Sequence, residues 1–552
     1  MKRYIKLFLY VLVGAQVITA CDKDFLDEEI LDEYAPSNLT DLAGMEASLN
    51  GLYNRTANFQ AQADRQGWLA AWQVGTDVIW PAEVQGIEVP YFNYELLNPL
   101  DEVAGRTWNW NYEMINNANI IIANVENPEL EGVSQANKSR INAEARFFRA
   151  YTYNFLATVF GGVPLITEPL TAPKTDFVRA SLEDINNQIK IDLDSATTYL
   201  PVIGEAPHIG RANVYMAHQL AAEFYLRTGE YAKAESHADM IISSGAFELV
   251  SERYGVKAGD PGDPFSDMFH VGNQRYNQGN TEAIWVLETE NPSDVPSGNA
   301  GDFQHRRVWG AGYHNVPGLI PADSLGGRGL SRIRLNNWVL HDLYEEGDMR
   351  NSEYSIKREF YFNNPDPKFA NIYGTKVTLG EHTLADGTKI QITPVDTIRR
   401  INPYTMKWGH FDPRDVFGWG TWKDIIMMRL GETYLLRAEA EVMQDKPGEA
   451  AATINELREA RNAPSVDAAD MNLDFILDER ARELIGEENR RLTLMRTKTL
   501  VDRVNRLNSY SSLPEGLRVI TGLEDKHLLL PIPDQEIRLN KDAELKQNPG
   551  YN

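Results

Sequence analysis

One cysteine occurs in the 552 residues, Cys21, so no disulfide can form within the chain. The ten histidines show no zinc-type spacing, and neither a Gly-x-Ser-x-Gly elbow nor a phosphate-cradling glycine loop is present. Basic residues are outnumbered: 54 Lys and Arg stand against 79 Asp and Glu, a formal net charge of -25. Such a chain repels phosphates, which excludes a nucleic-acid partner. After the N-terminus, no apolar run reaches the roughly 20 residues that span a bilayer. What is present, 43% hydrophobic and 24% charged residues, is the composition of a folded protein with a large core.

Residues 1–20 have the form of a signal peptide, with Lys2, Arg3 and Lys6 ahead of a mostly apolar stretch from Ile5 to Ile18. Ile18-Thr19-Ala20-Cys21 resembles a lipobox, which makes Cys21 the acylated first residue of the mature chain. Acyl chains contributing roughly 0.8 kcal/mol per buried CH₂ make a durable anchor without a membrane helix. Residues 21–40 are expected to be an acidic tether.

From 41 to 250 the pattern is helical. Thr40 or Asn38 is expected to cap a helix through Leu42, Met45, Leu49 and Leu52, and Trp108 to Val125 shows a second helical face. In Lys138 to Thr167, Ile141, Ala145, Phe148, Thr152, Phe155 and Val159 share one face, while Arg149, Tyr153, Leu156 and Phe160 add a second stripe. A helix apolar nearly all round belongs inside a bundle, and Gly161-Gly162-Val163-Pro164 ends it. Ser181 and Asp184 form a capping box for a helix to Leu200. Ala222, Tyr225, Gly229, Tyr231, Ala234 and Ala238 follow tetratricopeptide spacing. Further helix pairs are expected at 425–443 with 448–462, and from 474 to 496. Between 251 and 421 glycine, proline, asparagine and aspartate break the chain into short runs. Residues 282–288 and 357–363 are expected strands, and 374–393 a hairpin turning at Asp386-Gly387.

The stretch ARFFRAYTYNFLATVFGGVPLI is similar to the hallmark helix of the SusD/RagB family of nutrient-uptake outer-membrane lipoproteins. Gly210-Arg211-Ala212, MMRLGETYLLRAEAEVM (427–443), FILDERARELIGEENRRLTLMR (475–496) and the tail at 527–551 resemble the same family. Leu492 and Thr493 depart from it, standing where members often carry an aromatic residue and an aspartate. The resemblance implies a mainly α fold: a tetratricopeptide-like scaffold in two parts (41–250 and 422–552) around an irregular ligand-binding insertion of loops and short strands (251–421). It also implies an oligosaccharide ligand, a position on the cell exterior, and a TonB-dependent SusC-like barrel as partner, with no enzyme activity, cofactor or metal.

Sugar recognition needs flat apolar faces beside polar groups that meet the hydroxyls. Two loops combine them: Trp80, Tyr91, Phe92 and Tyr94 with Asp101 and Arg106 nearby, and Arg306, Arg307, Trp309, Tyr313 and His314 in RRVWGAGYHN. There the glycines are expected to leave the rings unshielded; the alternative for any one ring is ordinary core packing. Replacing Trp80 and Trp309 by alanine is expected to abolish capture without unfolding. A hydrolase or a peptide-binding lid are the alternatives. Glu432 and Glu439 lie two turns apart on one helix, about 10.5 Å at 1.5 Å per residue, beyond the roughly 5–9.5 Å of glycosidase pairs. They are expected to pair with Arg458 and Arg461. Asp260, Asp263 and Asp267 could bind calcium but lack EF-hand spacing, and a solvated acidic turn is the simpler account.

Overall fold

The computed structural model describes residues 41–551, apart from 62–65, 129, 131, 209, 292, 296–302, 419 and 509–518. The signal peptide, Cys21, the tether and the suggested caps Asn38 and Thr40 lie outside the described residues. Asp41 takes the capping role instead, accepting the Gly44 N–H at 2.8 Å at the start of α1 (Leu42–Ala61).

The molecule is mainly helical, and the strands among the described residues form antiparallel pairs. After the short α2 (Gln66–Ala71) come α3 (Glu102–Glu126) and α4 (Gln135–Phe160). The signature sequence forms α4, and it packs along both α3 and α5 (Leu182–Tyr199), as its two apolar stripes require. Ser134 caps it, and Gly161 ends it at φ 75°, a backbone region that favours glycine. Of its two buried arginines, Arg140 and Arg149, Arg149 is matched by Asp192 of α5 through two bonds of 2.8 and 2.7 Å.

The repeat pair forms as spaced, with α6 (Val214–Thr228) and α7 (Tyr231–Ile242) turning at Gly229, φ 79°. Helix α7 packs on α9 (Leu430–Met443), which in turn packs on α10 (Pro447–Glu459) and α11 (Leu473–Leu484); α8 is the short helix His305–Trp309. Two expected helices are shorter than the sequence suggests. Ile425–Arg429 is a strand pairing with Ala283–Leu287, because its unbroken apolar run is buried between two layers. The 474–496 stretch breaks at Gly486 (φ 87°) into α11 and α12 (Arg490–Arg496).

In the middle region the hairpin forms from Gly380–Thr383 and Lys389–Ile392. Of 357–363, only Lys357 is in a paired strand, with an isolated bridge at Tyr361. Residues 311–404 contribute a separate small core that includes Tyr313, Phe360, Phe362, Phe369 and Tyr404. Ile284, Trp285, Val308 and Trp309 belong to the main core.

Candidate functional site

The six aromatic and arginine positions expected to face a ligand are all buried. Trp80 is 4% exposed and lies under the Arg334 guanidinium, 4.5 Å from the ring centre. Tyr91 donates to Asp101 at 2.8 Å, and Tyr94 donates to the Gly75 carbonyl at 3.1 Å. Between these tyrosines sits Arg491, whose guanidinium donates to the carbonyls of Ala71, Val74 and Tyr91 and to the Tyr94 hydroxyl. A buried guanidinium needs this many acceptors, so the early loop wraps an arginine and does not present its rings. Phe92 is buried with them, and Arg106 pairs along its own helix with Glu102.

The mid-chain loop is corrected in the same way. Tyr313 donates to the Gly327 carbonyl at 2.6 Å inside the small core. Arg306 donates to the carbonyls of His410 and Gly418, both at 2.8 Å, and Arg307 to Gln304 at 3.0 Å. His314 is half-buried and accepts from Arg328. The glycines do not unshield rings. A Cβ on Gly310 would lie 2.8 Å from the Arg306 carbonyl and 3.3 Å from the Gly329 backbone, so glycine there lets two backbones close together. Of the six, Trp309 lines an open space.

That space is a recess of about 180 Å³. Five of the eleven tryptophans line it: Trp68, Trp72, Trp285, Trp309 and Trp408. Helix α4 supplies Tyr151, Asn154 and Phe155, so the buried signature helix is also part of this wall. Trp68 and Trp72 are fixed edge-to-face, 5.8 Å apart, and Trp72 meets Phe155 in the same way at 5.4 Å. Trp285 is held against Tyr151 at 5.6 Å. His305 stacks on Trp408 at 4.0 Å; burial pushes its imidazole down to about 3, so it is an uncharged wall at neutral pH. Trp408 in turn donates to the Gly486 carbonyl at 2.7 Å.

The same recess is lined by half-buried polar groups: Gln60, Glu223, Glu432, Glu487, Glu488, Asn489 and Arg496. Glu432 accepts from Arg480 at 2.8 Å and from Gln219 at 2.9 Å, and Arg496 clasps Glu439 with bonds of 2.6 and 2.7 Å. The expected partners, Arg458 and Arg461, bond Glu479 and Glu483 instead, because Glu432 and Glu439 face the arginines of α11 and α12. Burial raises the Glu223 carboxyl. At Glu487 burial opposes the charged form, but Arg429 and Lys407 more than offset it and lower its pKa. Leu492 and Thr493, the two departures from the family pattern, also line the recess.

Sequence reasoning missed Trp68, Trp72, Trp285, Trp408, Tyr151 and Glu223. Trp68 and Trp72 were visible as an i, i+4 pair, but Trp285 and Trp408 lie far along the chain and only tertiary packing brings them in. Elsewhere, Asp263 caps a short helix through Ser266 N–H at 2.7 Å, and Asp267 binds Arg253 at 2.6 Å; both acids serve the turn itself. Glu235, Glu441 and Glu449 also converge, but the Lys446 ammonium already sits 2.7 Å from Glu235 and 3.6 Å from Glu449. Among the described residues, no helix is long and apolar enough to cross a membrane.

Two family models match the chain: the SusD family over residues 281–551, and "Starch-binding associating with outer membrane" over residues 19–226. The chain belongs to the SusD family. Its relatives within that family include SusD-like protein P25 of Formosa agariphila, 26% identical over 96% of both chains. The starch-binding protein SusD of Bacteroides thetaiotaomicron is 25% identical over 77% of this chain and 75% of its own. A solved laminarin-binding SusD-like protein shares the SusD fold with this chain: TM-score 0.62, 21% identity, 93% of this chain and 100% of that one.

Proposed function

We propose that this SusD-family protein captures oligosaccharides at the cell surface and delivers them to a TonB-dependent SusC-like barrel in the outer membrane. In this account the chain is held by lipid on Cys21 and closes over the barrel mouth as a hinged lid, while the barrel supplies the energy of transport. The observation that carries the proposal is the recess: five indoles and half-buried acceptors and donors share one small space, the pairing that a pyranose with its C–H face and its hydroxyls requires. Starch and laminarin binding in the named relatives supports a sugar ligand. Covering about 50 Å² of apolar sugar face contributes on the order of 1 kcal/mol, so affinity accumulates from several contacts and stays modest.

Capture without hydrolysis is the part of this account that rests on charge. Glu432 and Glu439 are each held by an arginine, which leaves neither as a free acid–base partner for a glycosidic bond. Binding of the soluble protein, lacking residues 1–21, to an array of glycans and peptides tests the proposal, with product analysis of every glycan that binds. Glycan binding with no cleavage products is expected. Peptide binding alone, or release of shorter sugars, would replace the proposal by one of the two alternatives.

A further inference from the structure

We infer that the recess recognises the end of a sugar chain, not a stretch within it; this rests on the proposal that the ligand is a glycan. An internal segment has to enter and leave, so its site is a groove with two open ends and exposed rims. Here every lining residue is buried or half-buried. The rear is closed by Trp68, Leu220, Trp285, Arg429, Arg480 and Leu484, none more than 3% exposed. Trp285 is itself backed by the rings of Phe147 and Phe148 of α4, at 5.7 and 6.3 Å.

Among the described residues, the small space adjoining the recess cannot pass a sugar ring. Next to the recess, sharing Gln73, Trp309 and Gly486 with it, is a space of only about 10 Å³ that Val78, Ile485 and Arg490 also line, room for roughly one water molecule. A further cavity, about 50 Å³, is walled by a separate set of residues around His270 and Lys407. At about 180 Å³ the recess is smaller than the roughly 300–1,000 Å³ of sites that enclose a drug-sized ligand whole. It therefore seats a terminal ring and part of the next, and the rest of the chain runs out into solvent. Charge pairing points to an uncharged end: the lining carboxylates Glu432, Glu487 and Glu488 and the arginines Arg429, Arg480 and Arg496 are already bonded to opposite charges, and burial disfavours the charged form of the fourth lining carboxyl, Glu223.

The test is calorimetric titration of the soluble protein with two series: laminari-oligosaccharides and malto-oligosaccharides of two to seven units, together with laminarin and soluble starch. End recognition predicts affinity that stops rising after two or three units and one protein bound per polymer chain end. It also predicts that Leu492→Trp, which pushes an indole into the recess from a half-buried position, weakens binding at least tenfold with an unchanged melting temperature. An unchanged far-ultraviolet circular dichroism spectrum of Leu492→Trp controls for damage to α12. Affinity that climbs through seven units, with many proteins on each polymer molecule, would overturn end recognition and leave glycan capture standing. Binding untouched by Leu492→Trp would place the sugar elsewhere and overturn it too. Silence from both series would bring down end recognition and glycan capture together.

Discussion

Asp77→Asn removes one charge and almost no volume, and the structure says what that charge does. Asp77 is completely buried. Its carboxylate accepts from Arg490 at 2.9 and 2.6 Å and from Arg503 at 2.7 Å. Burial alone would raise its pKa, but the two guanidinium groups more than offset that and bring it from 3.8 down to about 2. That difference corresponds to ~2.5 kcal/mol of folding free energy at neutral pH. Removing one member of a buried ion pair costs more, ~3–5 kcal/mol. The lower end applies here, because Arg490 keeps Glu488 and Arg503 keeps Asp474 and Asp478. The sign follows from the lowered value: the contribution is complete above about pH 4 and is lost as pH falls through 2. Urea denaturation of parent and variant from pH 7 to pH 2 should therefore show a gap of ~3 kcal/mol that closes only at the acid end. Because Asp77 ties the segment after Trp72 and Gln73 to the start of α12, sugar binding should weaken along with stability. A variant as stable as its parent at pH 7, or a gap that ignores pH, would refute the assignment.

Trp309→Ala should lose sugar binding about tenfold, from one apolar face of ~1 kcal/mol or somewhat more, and should also destabilise the protein by ~3–5 kcal/mol. Trp309→Phe, which keeps an aromatic face, should recover most of the stability, as thermal melts would show. Trp80→Ala should cost similar stability yet leave affinity for sugar unchanged in the folded fraction, since Trp80 does not line the recess. Cys21→Ser should move the protein from the membrane fraction to the soluble one in cell fractionation; unaltered membrane retention would argue against lipid anchoring there.

Local pattern was enough for the frame. The 3–4 spacing in α4, the glycine stop at Gly161, the Ser181 cap and the Gly229 turn are short-range features, and each forms within a few residues of where it is written. The strand at Ile425–Arg429 was missed because an unbroken apolar run does not distinguish a buried strand from a buried helix; its partner lies some 140 positions earlier. The acids of α9 were assigned to the wrong arginines for a related reason, since a helix face does not name the helix that will cover it.

The site shows the division most clearly. Sequence by itself determined that this chain is a helical-repeat protein carrying the family signature, poor in nucleophiles and rich in indoles. Which indoles are free to meet a ligand was decided only by tertiary structure, because exposure belongs to the packing around a ring and not to its neighbours in the chain. Trp80, Tyr91 and Tyr94 close around structural arginines, whereas Trp68, Trp72, Trp285, Trp309 and Trp408 converge from four separate segments on one recess.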